Sequence, residues 1–157
     1  MKNLNYLATY IKRIIYLLLI YSISRLFFYL NNTDSLTLVN CYDFIEGIRF
    51  DLSALAYINI PLILLLMIPC NLRIKKRYQQ TTNILFYTIN IPFIIFNNVD
   101  IEYFRFIQKR STYDFIQMLQ LGDDSIKILP LYIKEYWQIT VLTICQIWFL
   151  MTIDLLK

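Results

Sequence analysis

Long apolar runs separated by short charged stretches organise the chain. Leu52 to Cys70, Thr81 to Val99 and Tyr136 to Ile153 contain no charged residue, and each approaches the ~17–25 residues that cross a bilayer as a helix. A fourth run, Ile14 to Leu30, is interrupted only by Arg25. One arginine raises the insertion cost by roughly 3 kcal/mol, which the surrounding Leu, Ile, Phe and Tyr outweigh. The pattern predicts an all-α polytopic membrane bundle forming a single domain over residues 1–157. Its four transmembrane helices fall at about 14–30, 52–70, 82–99 and 136–154, with loops at 31–51, 71–81 and 100–135. Pro61 and Pro92 lie inside the second and third spans and predict kinks there.

Composition points the same way. With 58% hydrophobic and 17% charged residues in 157 positions, the chain has more apolar surface than the interior of so short a soluble domain can hold. Lys2, Lys12 and Arg13 precede the first apolar run as they would in a secretory signal. The run is longer than a signal core and no small-x-small cleavage site follows it, so an uncleaved signal anchor is expected.

Charge asymmetry sets the expected topology. Arg73, Lys75, Lys76 and Arg77 crowd the short loop between the second and third spans, which puts that loop in the cytoplasm by the positive-inside rule. Counting spans outward places Lys2, Lys12, Arg13 and Lys157, and so both termini, in the cytoplasm as well. This basic cluster is what topology demands of a juxtamembrane loop, and no nucleic-acid partner is inferred from it.

The loops 31–51 and 100–135 then face outward. In the second of these, Tyr103, Phe104, Phe106, Ile107, Phe115, Ile116, Leu119, Ile126, Leu129 and Ile133 recur near helical spacing, the pattern of short interfacial helices. Its first half extends the third span past Asp100. Gly122, Asp123 and Asp124 interrupt the pattern, and Ser125 caps a second short helix ending near Pro130.

Several charges sit where charges are expensive. A rise of ~1.5 Å per residue carries Arg25 roughly 20 Å across from Lys12, into the outer half of the bilayer. It must snorkel or find a partner. Candidates collect on the same side: Arg49 and Asp51 at the start of the second span, then Asp100, Glu102, Arg105 and Arg110 beyond the third. Two roles are open to this outer-rim cluster of Arg25, Arg49, Asp51, Asp100, Glu102, Arg105 and Arg110. It can lock helix packing through a buried pair, or its guanidinium groups can receive anionic phospholipid headgroups.

Catalytic arrangements are scarce. The chain has no His, which removes Ser-His-Asp and Cys-His machinery. Cys41, Cys70 and Cys145 offer no CxxC spacing, and a bilayer thickness between the first two prevents a bridge. Only Gly47 and Gly122 are available, so no glycine-rich phosphate loop can form. No catalytic residue, cofactor or metal site is predicted in these residues.

Three motifs resemble a known family. Arg25-Leu26-Phe27-Phe28, then Gly47-Ile48-Arg49-Phe50-Asp51-Leu52-Ser53-Ala54, and Asn97, Asp100, Tyr103 and Phe104 followed by Lys109, Arg110, Ser111, Thr112 and Asp114 resemble the N-terminal membrane domain of lipoteichoic-acid-synthase-like, sulfatase-superfamily proteins. The resemblance covers about residues 13–137. It implies a bacterial cytoplasmic (inner) membrane, in keeping with the bias toward Ile, Asn, Tyr and Lys. Five membrane helices precede an extracytoplasmic alkaline-phosphatase-type domain in that family. That domain uses a Thr nucleophile and a divalent metal to transfer phosphoglycerol or phosphoethanolamine from a phospholipid.

What the resemblance implies here is the anchor without the enzyme, truncated or split from a separately encoded sulfatase-like catalytic domain that would carry the metal. The expected partners are that domain and membrane lipids, including anionic headgroups. The alternative is a small polytopic subunit of a transporter or other membrane complex, with Asn59, Asn90 and Gln146 as polar residues at membrane depth and Pro61 and Pro92 marking broken helices.

Overall fold

The computed structural model describes residues 2–32, 41–67, 75–107 and 134–155, all of it helical apart from turns and helix ends, with no strand among the described residues. Five helices follow one another: α1 Lys2–Asn31, α2 Cys41–Ile58, α3 Ile60–Met67, α4 Lys76–Ile107 and α5 Trp137–Leu155. The long ones contain no glycine, so little competes with the helical hydrogen-bond ladder that lipid would enforce. Asn32 ends α1 by donating both its backbone N–H and its Nδ2 to the Phe28 carbonyl, at 3.1 and 3.0 Å.

α1 lies at the centre, packed against α2, α4 and α5, and α4 touches α1, α3 and α5. The buried stripe of α1 is Tyr10, Arg13, Leu17, Ile20, Tyr21, Ser24 and Phe28, a run of three- and four-residue steps that keeps one face inward. Along α4 the buried positions are Thr82, Phe86, Asn90, Ile94, Asn98 and Ile101, apolar and polar in alternation. Leu17, Ile20, Leu55, Leu62, Phe86, Ile94 and Leu150 form the main core, and Phe28, Ile101 and Ile139 a smaller one toward the end of α1.

The outer surface is more apolar than a water-soluble protein tolerates. Tyr57 is 74% exposed, Trp148 69%, Ile84 67% and Leu64 61%, while the asparagines face inward. Such wide apolar exposure matches a lipid environment. α1 and α4 each contain a stretch long and apolar enough to cross a membrane, Ala8–Asn31 and Lys76–Phe104. α2 and α3 supply a third if taken as one bent span, and the apolar stretch of α5, Trp137–Thr152, is shorter.

Several boundaries differ from those read along the sequence. The loop expected at 31–51 is helical from Cys41, and the loop at 71–81 is helical from Lys76. Hydropathy marks where apolar residues stop, whereas a helix continues until its backbone bonds find other partners. α4 runs past Asp100 to Ile107 and passes through Pro92 without a break. The second span does bend, by 61°, with the break at Asn59 between α2 and α3. The Pro61 ring clashes with the carbonyl four residues before it, that of Tyr57, so distortion appears upstream of the proline itself. The short helix expected between Ser125 and Pro130 lies outside the described residues.

Candidate functional site

Several sets of polar side chains are enclosed by the bundle. At the end where α1 terminates, Arg25 Nη2 donates to Asp51 Oδ1 at 2.6 Å, the two side chains being 12% and 14% exposed. The helical turn makes this possible: Arg49, two residues before Asp51, is turned roughly 200° away and is exposed. Gly47, one turn before Asp51, makes room. A Cβ there would fall inside the guanidinium of Arg25, 2.8 Å from its Nε and closer still to Cζ and Nη1. Arg25 thus occupies the space that a side chain at position 47 of α2 would fill.

This pair forms one wall of a small cleft that Asp100, Asn97, Ser24 and Tyr21 also line. The cleft measures about 10 Å³, near the minimum for a single water. One guanidinium facing two carboxylates gives it no surplus positive charge. Neither its size nor its sign suits a phosphate group.

Of the remaining rim residues, Glu102 accepts from Asn31 Nδ2 at 3.2 Å, tying α4 to the last residue of α1. The Phe104 ring stacks edge-on against Phe28, 4.9 Å between centroids. Arg105 belongs to α4, but its side chain is outside the described part, as is Arg110 altogether. The structure therefore joins Arg25, Asp51 and Asp100, sets Glu102 beside them at the α1–α4 contact, and turns Arg49 outward.

Ser24 links the cleft to a second set. Its Oγ donates to Asn98 Oδ1 at 2.8 Å and accepts from Gln146 Nε2 at 2.9 Å. Asn98 Nδ2 in turn donates to Gln146 Oε1 at 2.7 Å and to Thr143 Oγ1 at 3.0 Å. The network fastens α1, α4 and α5 together. Asn59 and Asn90 exchange amide hydrogen bonds of 3.1 and 2.9 Å, and each donates back to its own helix, at the Leu55 and Phe86 carbonyls. The asparagines and glutamine at membrane depth thus bond to one another.

Arg13, read along the sequence only as a topological charge beside Lys12, is 1% exposed. Its guanidinium sits 5.2, 4.9 and 5.9 Å from the ring centres of Tyr10, Phe86 and Tyr87 and donates to Asn83 Oδ1 at 2.9 Å. A charge count cannot see this; the sequence clue is that Arg13 shares the stripe of Tyr10 and Leu17. Gly47, Ser24 and Asn98 likewise escape a search restricted to charges.

Among the described residues, no three His, Cys, Asp or Glu side chains converge as metal ligands. No family model, curated protein or solved structure matches the chain.

Proposed function

We propose that the chain is the four-span membrane domain of a lipid-headgroup transferase system, with both ends in the cytoplasm and the Arg25–Asp51 cleft facing out. It anchors an extracytoplasmic sulfatase-like domain that supplies the metal and the nucleophile. One observation carries the reading: residues from all three motifs meet in one place. Arg25 of the first, Asp51 of the second, and Asn97 and Asp100 of the third line the same cleft, and Gly47 underlies it. Residues so far apart along the chain converge there on an ion pair whose geometry fixes the relative orientation of α1 and α2. That suits a platform holding a catalytic partner, and the cleft's size and charge favour a lock over ligand capture.

Affinity capture of the full chain from its native membrane tests this. A sulfatase-like protein should co-purify, or the DNA that follows should encode such a domain in a continuing or separate frame. Absence of both would overturn the proposal. Cysteine labelling of Lys76 variants from the cytoplasm alone, and of Glu102 variants from outside alone, tests the four-span topology separately.

A transporter subunit is the second reading, favoured by the broken helix at Asn59 because discontinuous helices often line substrate sites. The reciprocal Asn59–Asn90 bonds engage both side-chain amides, which fits packing better. Solute flux into vesicles containing the chain would favour transport.

A further inference from the structure

The two segments that meet at Asn59 and Asn90 share a sequence. Ile58-Asn59-Ile60-Pro61-Leu62-Ile63 and Ile89-Asn90-Ile91-Pro92-Phe93-Ile94 differ only in Leu62 against Phe93. The structure pairs them through equivalent atoms. Each asparagine donates Nδ2 to the other's Oδ1, at 3.1 and 2.9 Å, and each donates back to the carbonyl four residues earlier, that of Leu55 or Phe86. Further along, the Tyr78 hydroxyl donates to the Leu65 carbonyl, so the segments run antiparallel and a local two-fold axis passes between the asparagines. This is a small inverted repeat, the arrangement through which many membrane proteins move between two states.

The backbones break the symmetry. α2–α3 bends by 61° at Asn59, whereas α4 runs unbroken through Pro92. Neither proline has an N–H, so the Tyr57 and Thr88 carbonyls lack a ladder partner whether the helix is bent or straight. On either side of the bend the ladder persists: Asn59 N–H reaches the Leu55 carbonyl at 3.0 Å and Ile63 N–H the Asn59 carbonyl at 2.9 Å. The local cost of a bend is therefore similar in both segments, and the surroundings decide which one carries it. Beyond Pro92, α4 is held straight by Asn98, bonded to Ser24 and Gln146, and by Phe104 against Phe28. Beyond Pro61, α3 is only eight residues long.

We propose that the two repeats are alternative hinges of one switch centred on the Asn59–Asn90 pair. In the structure α2–α3 is bent and α4 straight; in the second state α4 bends at Asn90 and α2–α3 straightens. Asn97, Asp100 and Ile101, on the part of α4 beyond the hinge, line the cleft with Arg25 and Asp51, so the second state carries that wall away and opens the cleft. Access to the cleft is thereby coupled to the Met67 end of α3, which swings by about 10 Å for a turn of this size. The inference rests on the hydrogen-bonded repeat and on neither functional reading.

Electron-resonance distance measurements on the full chain, with its native cysteines replaced, test the exchange. Labels at Ile45 and Met67 report α2–α3 and labels at Arg77 and Val99 report α4, all four positions being exposed. Each pair spans about six helical turns, a length that such a bend shortens by about 4 Å. Pro61→Ala should lengthen the Ile45–Met67 distance by about 4 Å and shorten the Arg77–Val99 distance by a similar amount. Asn98→Leu, which loosens the far half of α4, should produce the same two changes, and adding Pro92→Ala to either variant should restore a straight α4. Asn97→Cys should be alkylated faster in the Pro61→Ala background than in the parent. An Arg77–Val99 distance unaffected by Pro61→Ala, or α4 bending in Asn98→Leu while α2–α3 stays bent, would overturn the proposal; unchanged alkylation would overturn the link to the cleft. Replacing a helix proline by alanine favours the helix, so Pro61→Ala remains decisive even where Asn98→Leu does not fold.

Discussion

Arg25 of α1 reaches Asp51 of α2 at 2.6 Å by lying across Gly47, so a glycine, an arginine and an aspartate form one joint between two helices. The joint matters because burying either charge alone is far more costly than burying the pair.

Asp51→Asn removes the carboxylate bonded to Arg25 and leaves Asp100 as the other carboxylate lining the cleft, so the bundle should be destabilised by about 2–3 kcal/mol. Arg25→Leu combined with Asp51→Leu should recover most of that loss. Unfolding of the purified chain in mild detergent would show it; equal losses in the single and double variants would contradict a coupled pair.

Gly47→Ala should act through Arg25. The new methyl group would displace the guanidinium, costing about 1–3 kcal/mol as overpacking does elsewhere. In an Arg25→Ala background the same change should be nearly neutral. A penalty that persists there would assign the role of Gly47 to backbone geometry instead.

Asn98→Leu removes the hub between Ser24, Thr143 and Gln146. Hydrogen bonds within membrane bundles are worth about 0.6 kcal/mol each on average, and Gln146 would be left partly unsatisfied. The expected loss is about 1–2 kcal/mol, and cross-linking between α4 and α5 should weaken with it. Pairing Asn98→Leu with Gln146→Leu should show positive coupling in a double-mutant cycle.

The 61° break at Asn59 has its cause in Pro61. Spin labels at the exposed positions Ser53 and Leu64 should move apart in Pro61→Ala as the helix straightens. Asn59→Ala should leave that distance nearly unchanged while loosening α3 from α4, because Asn90 loses its partner.

Arg13→Lys keeps the charge but loses the planar face that rests among Tyr10, Phe86 and Tyr87. A cost of about 1–2 kcal/mol is expected. Arg13→Met, which fills the space without charge, should be less harmful if Asn83 turns to water.

The presence of apolar helices and their approximate centres were legible from the sequence, because hydropathy and the three- and four-residue stripe are local properties of the chain. The charged rim was legible only as a set. Counting charges grouped Arg49 with Asp51 and gave no sign that Arg13 is buried, since a count carries no azimuth. It also passed over Gly47, whose contribution is the absence of a side chain.

What the chain alone determined is its division into long apolar helices with a few polar groups that such surroundings cannot leave unpaired. Only the tertiary arrangement decided the pairings: Arg25 with Asp51, Asn59 with Asn90, and Ser24 with Asn98 and Gln146. The reason is geometric. A hydrogen bond needs its atoms within about 3 Å, and that proximity depends on how each helix is rotated and how closely its neighbour approaches.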